Sequence, residues 1–210
     1  MIKHAFTTRK DGDMKDSVAN RERIVHQLFG DARELKTAPQ THSNEVGLDA
    51  IISKDKNVAL GVFVADCVPI LLSDDRAIGA IHAGWKGTLG GITINTINEM
   101  KKAGTEPNEM MVWIGPHIGM CHYDVPESRA QKFLNTFDND PKVASFFENK
   151  WHVDIGWANY RQLVDSGVKP EHINAPPTCT ACQIDTYFSF RKDSKESFGE
   201  IMGVIGFKQS

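Results

Sequence analysis

The sequence predicts a single domain of the α+β class, with a mixed β-sheet core flanked by helices. Two apolar runs, at residues 58–72 and 77–85, are rich in β-branched residues and flank a polar turn, so they have the character of buried strands. Segments with helical spacing of apolar residues mix with strands without strict alternation. The 210 residues suit one domain, and no repeat or linker divides them.

The predicted elements follow one another along the whole chain. A strand is expected in HAFTTRK near the N-terminus, and a helix at residues 16–29 with Asp16 or Ser17 as its cap. The two central strands come next. Periodicity and turn residues then predict helices at 88–102, 126–137 and 157–166, and strands at 110–114, 186–190 and 201–207.

Charge and composition exclude several classes of function. The formal net charge is -3, so no basic surface is predicted that could hold nucleic acid or an anionic membrane. The longest apolar run is interrupted by Asp66, Cys67 and Pro69 and is too short to span a bilayer. The N-terminal segment has no apolar signal-peptide core, so we expect a cytoplasmic protein whose cysteines are thiols. No oligomeric state is predicted.

Metal-capable side chains lie at the ends of several predicted strands. His42 ends the segment QTH, Cys67 lies in ADCVP and His82 in IHAGW. Because strand ends converge in space, these three residues can share one site, and zinc accepts imidazole nitrogen and thiolate sulfur. Three protein ligands leave a fourth position that can activate water or polarise a substrate. Spacing alone leaves an alternative, in which Cys67 is a small buried hydrophobe and the histidines only form hydrogen bonds.

Two cationic positions could bind an anion. Lys86 lies in the glycine-rich turn GWKGTLGG before a predicted helix, where exposed backbone amides attract negative charge. Arg191 follows a predicted strand and could clamp a phosphate or carboxylate with a forked pair of hydrogen bonds. The alternative for both is an ordinary solvated surface charge.

The remaining cysteines suggest further chemistry. Cys121 and His122 could be a nucleophile and its base, but adjacent residues on a strand point to opposite faces, so contact between them requires a loop. Cys121 could instead line the pocket. Cys179 and Cys182 form a CxxC, which can be half of a zinc site or a redox pair. Since no second CxxC exists, this segment is predicted to be buried and structural.

The ordered segments resemble a known family. QTHSNEV, ADCVPILLSD, AIHAGWKGTLGGI, IGPHIGMCHYDV and CTACQIDTYFSFRKD resemble the bacterial YfiH-like proteins, the laccase-domain family also called polyphenol oxidases or peptidoglycan editing factors. The resemblance covers nearly the whole chain, and ADCxP followed by HAGWxG is its most specific part. It implies that His42, Cys67 and His82 bind zinc, and that the fold is similar to the catalytic domain of a class of toxin deamidases. The chain departs from the family pattern at Lys86, where arginine is usual, and at His122, where a second cysteine is usual.

The resemblance implies a zinc enzyme acting on a purine nucleoside and phosphate, by phosphorolysis of adenosine, inosine, guanosine or methylthioadenosine, or by adenosine deamination. Asp66 and Cys121 are the candidates to move protons, and Arg191 with the Lys86 turn could hold phosphate. An alternative is editing of misbuilt cell-wall muropeptides. Copper-dependent phenol oxidation is disfavoured, because copper clusters need many imidazoles and the eight histidines include no His-x-His pair.

Overall fold

A computed structural model describes residues 1–30, 33–193 and 198–208, and its strands form three sheets. In the described part of the chain the strands are β1 Ile2–Phe6, β2 Glu34–Thr37, β3 Ala50–Ser53, β4 Val58–Val64, β5 Val68–Ser73, β6 Ile78–Ala83, β7 Met111–Ile114, β8 Asp124–Val125, β9 Ala144–Phe147, β10 Lys150–Val153, β11 Ile173–Asn174 and β12 Ile201–Phe207. The four-stranded sheet has the order β1-β12-β4-β2, the five-stranded sheet β11-β7-β5-β6-β3 and the small sheet β8-β10-β9.

The helices follow local signals in the sequence. The α-helices of the described residues are α1 Val18–Phe29, α2 Trp85–Leu89, α3 Ile92–Lys102, α4 Glu127–Thr136 and α5 Ile155–Asp165. Helix α1 begins as predicted, because the Ser17 side chain accepts a hydrogen bond from the Asn20 backbone N–H, and it ends at Gly30 in the left-handed conformation. No helix within the described ranges is long and apolar enough to cross a membrane.

The two larger sheets pack face to face, and helices cover their outer faces. Leu60 of β4, Leu71 of β5 and Ile205 of β12 are fully buried between the sheets. Helix α1 covers the outer face of the four-stranded sheet, and α3, α4 and α5 cover that of the five-stranded sheet. This layered arrangement of mixed sheets and helices confirms the predicted α+β class.

The segment 58–72, predicted as one strand, is two strands in different sheets, so that prediction is wrong. Strand β4 ends at Val64 and β5 begins at Val68. Between them Asp66 has a φ of 83°, a left-handed conformation that breaks extended structure. Because both strands are buried and apolar, the hydrophobic pattern of the sequence does not show where one strand ends and the next begins. The consequence is that Asp66 and Cys67 lie where the chain passes from one large sheet to the other.

Two further boundaries differ from the predictions. The helix predicted at 88–102 is two helices, α2 and α3, which are separated at Gly91, where φ is 76°. The strand predicted at 186–190 is a series of turns instead. There Thr186 and Tyr187 donate their backbone N–H groups to the Gln183 carbonyl, which forms local turns and not a strand ladder. The strand predicted at 201–207 is confirmed as β12.

Candidate metal centre and its cavity

Three side chains from separate segments, His42, Cys67 and His82, meet beside the passage between the two large sheets. Their ligand atoms lie within 4.8 Å of one another, and the two imidazole rings are nearly perpendicular with centroids 4.8 Å apart. His82 is buried, Cys67 is half-buried and His42 is exposed, so the cluster is open on one side. Two imidazoles and one thiolate with an open side fit the donor set of a zinc site that keeps a free position.

A fully buried carboxylate, Asp49, organises the cluster, and sequence reasoning missed it. Its Oδ1 lies 2.9 Å from His82 Nδ1 and accepts a hydrogen bond of 2.9 Å from the His42 backbone N–H. Its Oδ2 accepts hydrogen bonds from the Ser43 backbone N–H at 2.6 Å and hydroxyl at 2.8 Å. Because His82 turns Nδ1 toward Asp49, its Nε2 is the nitrogen left for a metal, as in the carboxylate–histidine pairs of known metal sites.

Electrostatics favours the thiolate form of Cys67 and the protonated form of His82, whose proton a metal ion would displace. Burial alone would raise the pKa of the Cys67 thiol, but hydrogen bonds with His42 and His82 lower that pKa to about 7. Burial opposes protonation of His82, whereas Asp49 and Cys67 together raise its pKa. Burial of Asp49 acts against its ionisation, yet hydrogen bonds from His82, Ser43 and His42 hold its pKa well below the usual range. Cys67 therefore has thiolate character, which metal binding requires.

The loop that carries His42 is fixed to strand β4 by Gln40. The Gln40 side chain donates to the Phe63 carbonyl at 2.7 Å and accepts from the Phe63 N–H at 2.8 Å, as a neighbouring strand would. Gln40 and His42 both have a φ of 59°, in the left-handed region that is uncommon for non-glycine residues. The glutamine of the QTH segment thus holds the chain in the conformation that points His42 at the cluster.

The glycines of the turn before and within α2 permit close packing at the cluster. A Cβ atom at Gly84 would lie 3.2 Å from His42 Cδ2 and 3.3 Å from Cys67 Sγ. A Cβ atom at Gly87 would lie 2.6 Å from the Ser43 carbonyl oxygen. The turn therefore brings α2 close to the ligand loop. Lys86 is exposed on this helix, outside the residues that line the cavity beside the cluster, and its phosphate-binding role stays a prediction.

The cluster opens into a cavity of about 680 Å³, a volume suited to a small organic molecule. Its wall combines aromatic rings with cations and carboxyl groups: Phe63, Trp85, Tyr123, Phe190 and Phe198, then Lys15, Arg129 and Arg191, then Asp66 and Glu200. Aromatic rings offer flat faces for a planar base, and the cations offer sites for an anion.

Arg129 of α4 is a cavity residue that sequence reasoning missed. Its guanidinium carbon lies 4.1 Å from the centre of the Trp85 ring, and Nη1 donates to the Tyr123 hydroxyl at 3.4 Å. No carboxylate forms an ion pair with Arg129 among the described residues. Arg129 is therefore positioned by Trp85 and Tyr123, and its charge is not neutralised by a described carboxylate. A lone arginine on an amphipathic helix gives no sequence signal for this role.

Asp66, predicted to be catalytic, and Arg191, predicted to bind phosphate, both line the cavity, but they bind each other and their neighbours. Asp66 accepts hydrogen bonds from the Thr180 hydroxyl at 2.6 Å and from the Arg191 backbone N–H at 2.8 Å. The Arg191 guanidinium donates to a side-chain oxygen and to the backbone oxygen of Asp124, both at 3.0 Å. The catalytic role of Asp66 and the phosphate role of Arg191 stay predictions.

Glu200, which the sequence did not single out, is a second carboxyl candidate for proton transfer, after Asp66. It precedes β12 and lines the cavity, with the Lys15 ammonium 4.0 Å away. Burial raises its pKa above the ordinary value. A carboxyl group with a raised pKa inside a cavity is a candidate proton carrier.

Cys121 lies outside the cavity wall. It belongs to a turn in which its Sγ is 3.3 Å from Nδ1 of His122, so the adjacent pair does touch because the segment is a loop and not a strand. The catalytic role of Cys121 stays a prediction. The CxxC was predicted to be buried, and this is wrong, because Cys182 is exposed and Cys179 is only half-buried.

The fold and the cluster define a class of protein, an α+β domain with a His–Cys–His group able to hold a metal ion at a ligand-sized cavity. A family model described as multi-copper polyphenol oxidoreductase laccase matches residues 5–208. The chain therefore belongs to this laccase-like family, as its motifs indicate.

Known relatives carry the names of nucleoside enzymes. A purine nucleoside phosphorylase of Bacteroides thetaiotaomicron is 32% identical over 183 residues, which cover 85% of this chain and 68% of that protein. An adenosine deaminase of unknown prokaryotic origin is 32% identical over 193 residues, covering 80% of this chain and 74% of that protein. The chain spans about half, 51%, of the human and mouse purine nucleoside phosphorylases that it matches.

A solved structure confirms the fold. The crystal structure of the hypothetical protein YfiH of Bacillus licheniformis superposes with a TM-score of 0.87 at 25% identity. The match covers 99% of this chain and 93% of that one. The resemblance to the YfiH-like proteins is thus confirmed in three dimensions.

Proposed function

We propose that this protein is a zinc-dependent purine nucleoside phosphorylase, with adenosine deaminase and methylthioadenosine phosphorylase activities in the same pocket. The observation that carries the proposal is the cluster of His42, Cys67 and His82 at a cavity of about 680 Å³ whose wall combines aromatic rings with an arginine that has no ion-pair partner among the described residues. Relatives named purine nucleoside phosphorylase and adenosine deaminase support the same chemistry.

The donor set supports zinc over a copper cluster. Two imidazoles, one thiolate and a buried carboxylate behind His82 are typical of zinc sites with an open position. A bound zinc ion would supply a Lewis acid facing the cavity. Clusters of several copper ions need many imidazole ligands. The two metal-capable groups within the described residues together contain only three histidines, His42 and His82 in one and His122 in the other.

Phosphorolysis needs a site for the anion beside a site for the base. Phosphate oxygen attacks the anomeric carbon of the ribose as the bond to the purine nitrogen breaks. Arg129 supports phosphate binding, because it lines the cavity and is held by Trp85 and Tyr123. Arg191 and Lys86 are secondary candidates, since Arg191 is paired with Asp124 and Lys86 is exposed on α2.

The leaving purine takes the electron pair of the broken bond and needs a proton. Glu200 supports this role, because it lines the cavity and burial raises its pKa, which favours the protonated carboxyl group. Asp66 is the second candidate, although both of its side-chain oxygens already accept hydrogen bonds. We therefore assign proton transfer to Glu200 and a positioning role to Asp66.

The test is a panel of inosine, adenosine and methylthioadenosine with and without phosphate, using zinc-loaded protein. We expect phosphate-dependent release of hypoxanthine from inosine. We expect Cys67→Ala to lose the metal ion of this cluster together with at least about 100-fold in kcat/KM, because it removes a ligand. Arg129→Gln should raise the KM for phosphate about tenfold or more, with a smaller change in the KM for inosine.

The matched control for the arginine is Arg23→Gln, an exposed position on α1, which should leave every parameter unchanged. Wild-type protein that releases no base from any nucleoside would overturn the proposal. A Cys67→Ala protein with the metal content and turnover of the wild type would also overturn it.

A further inference from the structure

A second group of metal-capable side chains lies outside the cavity. Cys121 and His122 come from the turn after Gly119, and Cys179 and Cys182 come from the CxxC turn. The four ligand atoms lie within 4.8 Å of one another. His122 Nδ1 faces all three sulfurs, at 3.3 Å from Cys121, 3.4 Å from Cys182 and 3.9 Å from Cys179, and the Cys121 and Cys182 sulfurs are 3.5 Å apart.

Four of the six donor–donor separations, the three from His122 Nδ1 and the one between the Cys121 and Cys182 sulfurs, match the edges of a zinc coordination tetrahedron. Zinc–sulfur bonds of about 2.3 Å and zinc–nitrogen bonds of about 2.0–2.1 Å, at tetrahedral angles, put sulfurs about 3.8 Å apart and sulfur about 3.6 Å from nitrogen. The observed distances lie within a few tenths of an ångström of these values. Four unlinked side chains with converging donor atoms are therefore already arranged around one point.

We propose that Cys121, His122, Cys179 and Cys182 form a second, structural zinc site of the Cys₃His type. Four protein ligands close the coordination sphere, which is characteristic of structural and not of catalytic zinc. The Gly119 backbone N–H donates to the Cys179 sulfur at 3.2 Å, which is the kind of outer hydrogen bond that stabilises a ligating thiolate. The inference is independent of the proposed nucleoside chemistry.

The site would join the loop of Cys121, which continues into the cavity wall, to the CxxC loop beside it. Beside it, the Thr180 backbone N–H donates to the His117 carbonyl at 2.9 Å, and the His117 N–H donates to the Thr178 carbonyl at 3.3 Å. The first loop continues into Ile118 and Tyr123, and both line the cavity. The second loop is tied to Asp66 through the Thr180 hydroxyl. Zinc here would thus hold the wall in register with the strand crossing at Cys67.

A disulfide is the competing use of the same cysteines. The Cys121 and Cys182 sulfurs would need to approach from 3.5 Å to about 2.05 Å, and the bond would consume two thiols with loss of two electrons to an oxidant. It would leave His122 and Cys179 without a role. Zinc uses all four side chains in their present positions, so we take zinc as the occupant.

The experiment counts metal and thiols in protein purified with zinc. We expect about two zinc ions per chain in the wild type, and about one in either Cys182→Ser or Cys67→Ala, because each change removes a ligand from a different site. Titration of the denatured, metal-stripped wild type should find all four cysteines as thiols. A disulfide between two of them would leave only two thiols to titrate.

Cobalt substitution reports how many thiolates bind the metal, which a turnover assay does not. A Cys₃His site should give roughly three times the sulfur-to-cobalt charge-transfer absorption of the single-thiolate cluster. Cys182→Ser, which removes a thiolate from the proposed site, should therefore weaken this band strongly and Cys67→Ala weakly. His26→Asn, an exposed histidine on α1, is the matched control and should change neither the band nor the zinc count.

A zinc count that is the same in the wild type, Cys182→Ser and His122→Asn overturns the second site, whatever the catalytic outcome. If Cys67→Ala loses nucleoside turnover but keeps most of the cobalt band, the catalytic cluster and the second site are distinct and occupied independently. If Cys182→Ser does not fold, His122→Asn and the cobalt titration of the wild type decide the question on folded protein.

Discussion

Asp49 is the residue on which the geometry of the candidate metal centre most depends. Its two carboxylate oxygens accept hydrogen bonds from the backbone N–H of His42 and from the backbone N–H and hydroxyl of Ser43, and one of them pairs with the His82 ring. One carboxylate therefore fixes the orientation of one ligand side chain and the backbone conformation that carries another. Replacing it disturbs both ligands without touching either.

We predict that Asp49→Asn weakens zinc binding about 10- to 100-fold, the usual effect of losing the partner behind a metal-bound histidine. An amide nitrogen in place of one oxygen would meet donors and not acceptors, so the pattern of bonds around it cannot be kept. Competition with a chromophoric chelator measures the change. Asp75→Asn, in the exposed turn between β5 and β6, is the control, and an equal affinity in both variants would contradict the prediction.

The sequence identifies some of these residues and not others, for a physical reason. His42, Cys67 and His82 each end a recognisable strand or motif, so their convergence can be expected. Asp49, Arg129 and Glu200 acquire their roles only through contacts between segments far apart in the chain. Nothing local marks a buried aspartate before a strand or an arginine on a helix as special.

At the scale of elements, a buried polar network docks α2 and α3 on α5. Asn159 of α5 is fully buried, accepts from the Thr93 hydroxyl at 2.7 Å and donates to the Thr88 hydroxyl at 2.9 Å. Gln162 donates to the Thr88 carbonyl at 2.7 Å. The network supports α2, which begins beside the metal cluster, so its geometry extends to the site.

We predict that Asn159→Ala lowers the free energy of unfolding by about 2–3 kcal/mol, because it leaves two buried threonine hydroxyls without their partner. Urea denaturation followed by tryptophan fluorescence measures the change. Asn98→Ala, at an exposed position on α3, is the matched control and should be neutral or slightly stabilising through helix propensity. Equal losses in the two variants would refute the network's contribution.

Element types were predictable where periodicity is strong, as in α1 and β12. The breaks between β4 and β5 and between α2 and α3 were not. Each is set by one residue in the left-handed conformation, Asp66 or Gly91, within a segment whose apolar pattern continues across it. Hydrophobic periodicity indicates burial, and buried residues stand on both sides of each break, Val64 and Val68 at the first and Thr88 and Ile92 at the second.

At the scale of the whole molecule, native carboxylates couple stability to pH. Asp140 accepts hydrogen bonds from Trp157 Nε1 and Arg161 Nη1, both at 3.0 Å, and the indole first, then the other donors, hold its pKa below the ordinary value. A depressed folded-state pKa stabilises the protein above the unfolded-state pKa of about 3.9. That contribution is lost as the pH falls through the folded-state pKa.

We predict that stability to urea falls as pH is lowered from about 5 to about 2, and that Asp140→Asn makes the fall shallower by removing one such carboxylate. The loss in the variant at neutral pH should be about 1 kcal/mol, since the pair is close to solvent. Asp185→Asn, an exposed aspartate, provides the comparison. A wild-type slope in Asp140→Asn would show that this carboxylate does not contribute.

The strand crossing at Cys67 has a mechanical consequence. His42 is anchored to the four-stranded sheet through Gln40 and Phe63, while His82 belongs to the five-stranded sheet, and Cys67 lies on the chain between them. An ion held by all three would link the two sheets at one point, beside the apolar side chains that pack between them. Sliding of one sheet over the other would pull the ligands apart, so release of the ion reports the alignment of the sheets before the chain unfolds.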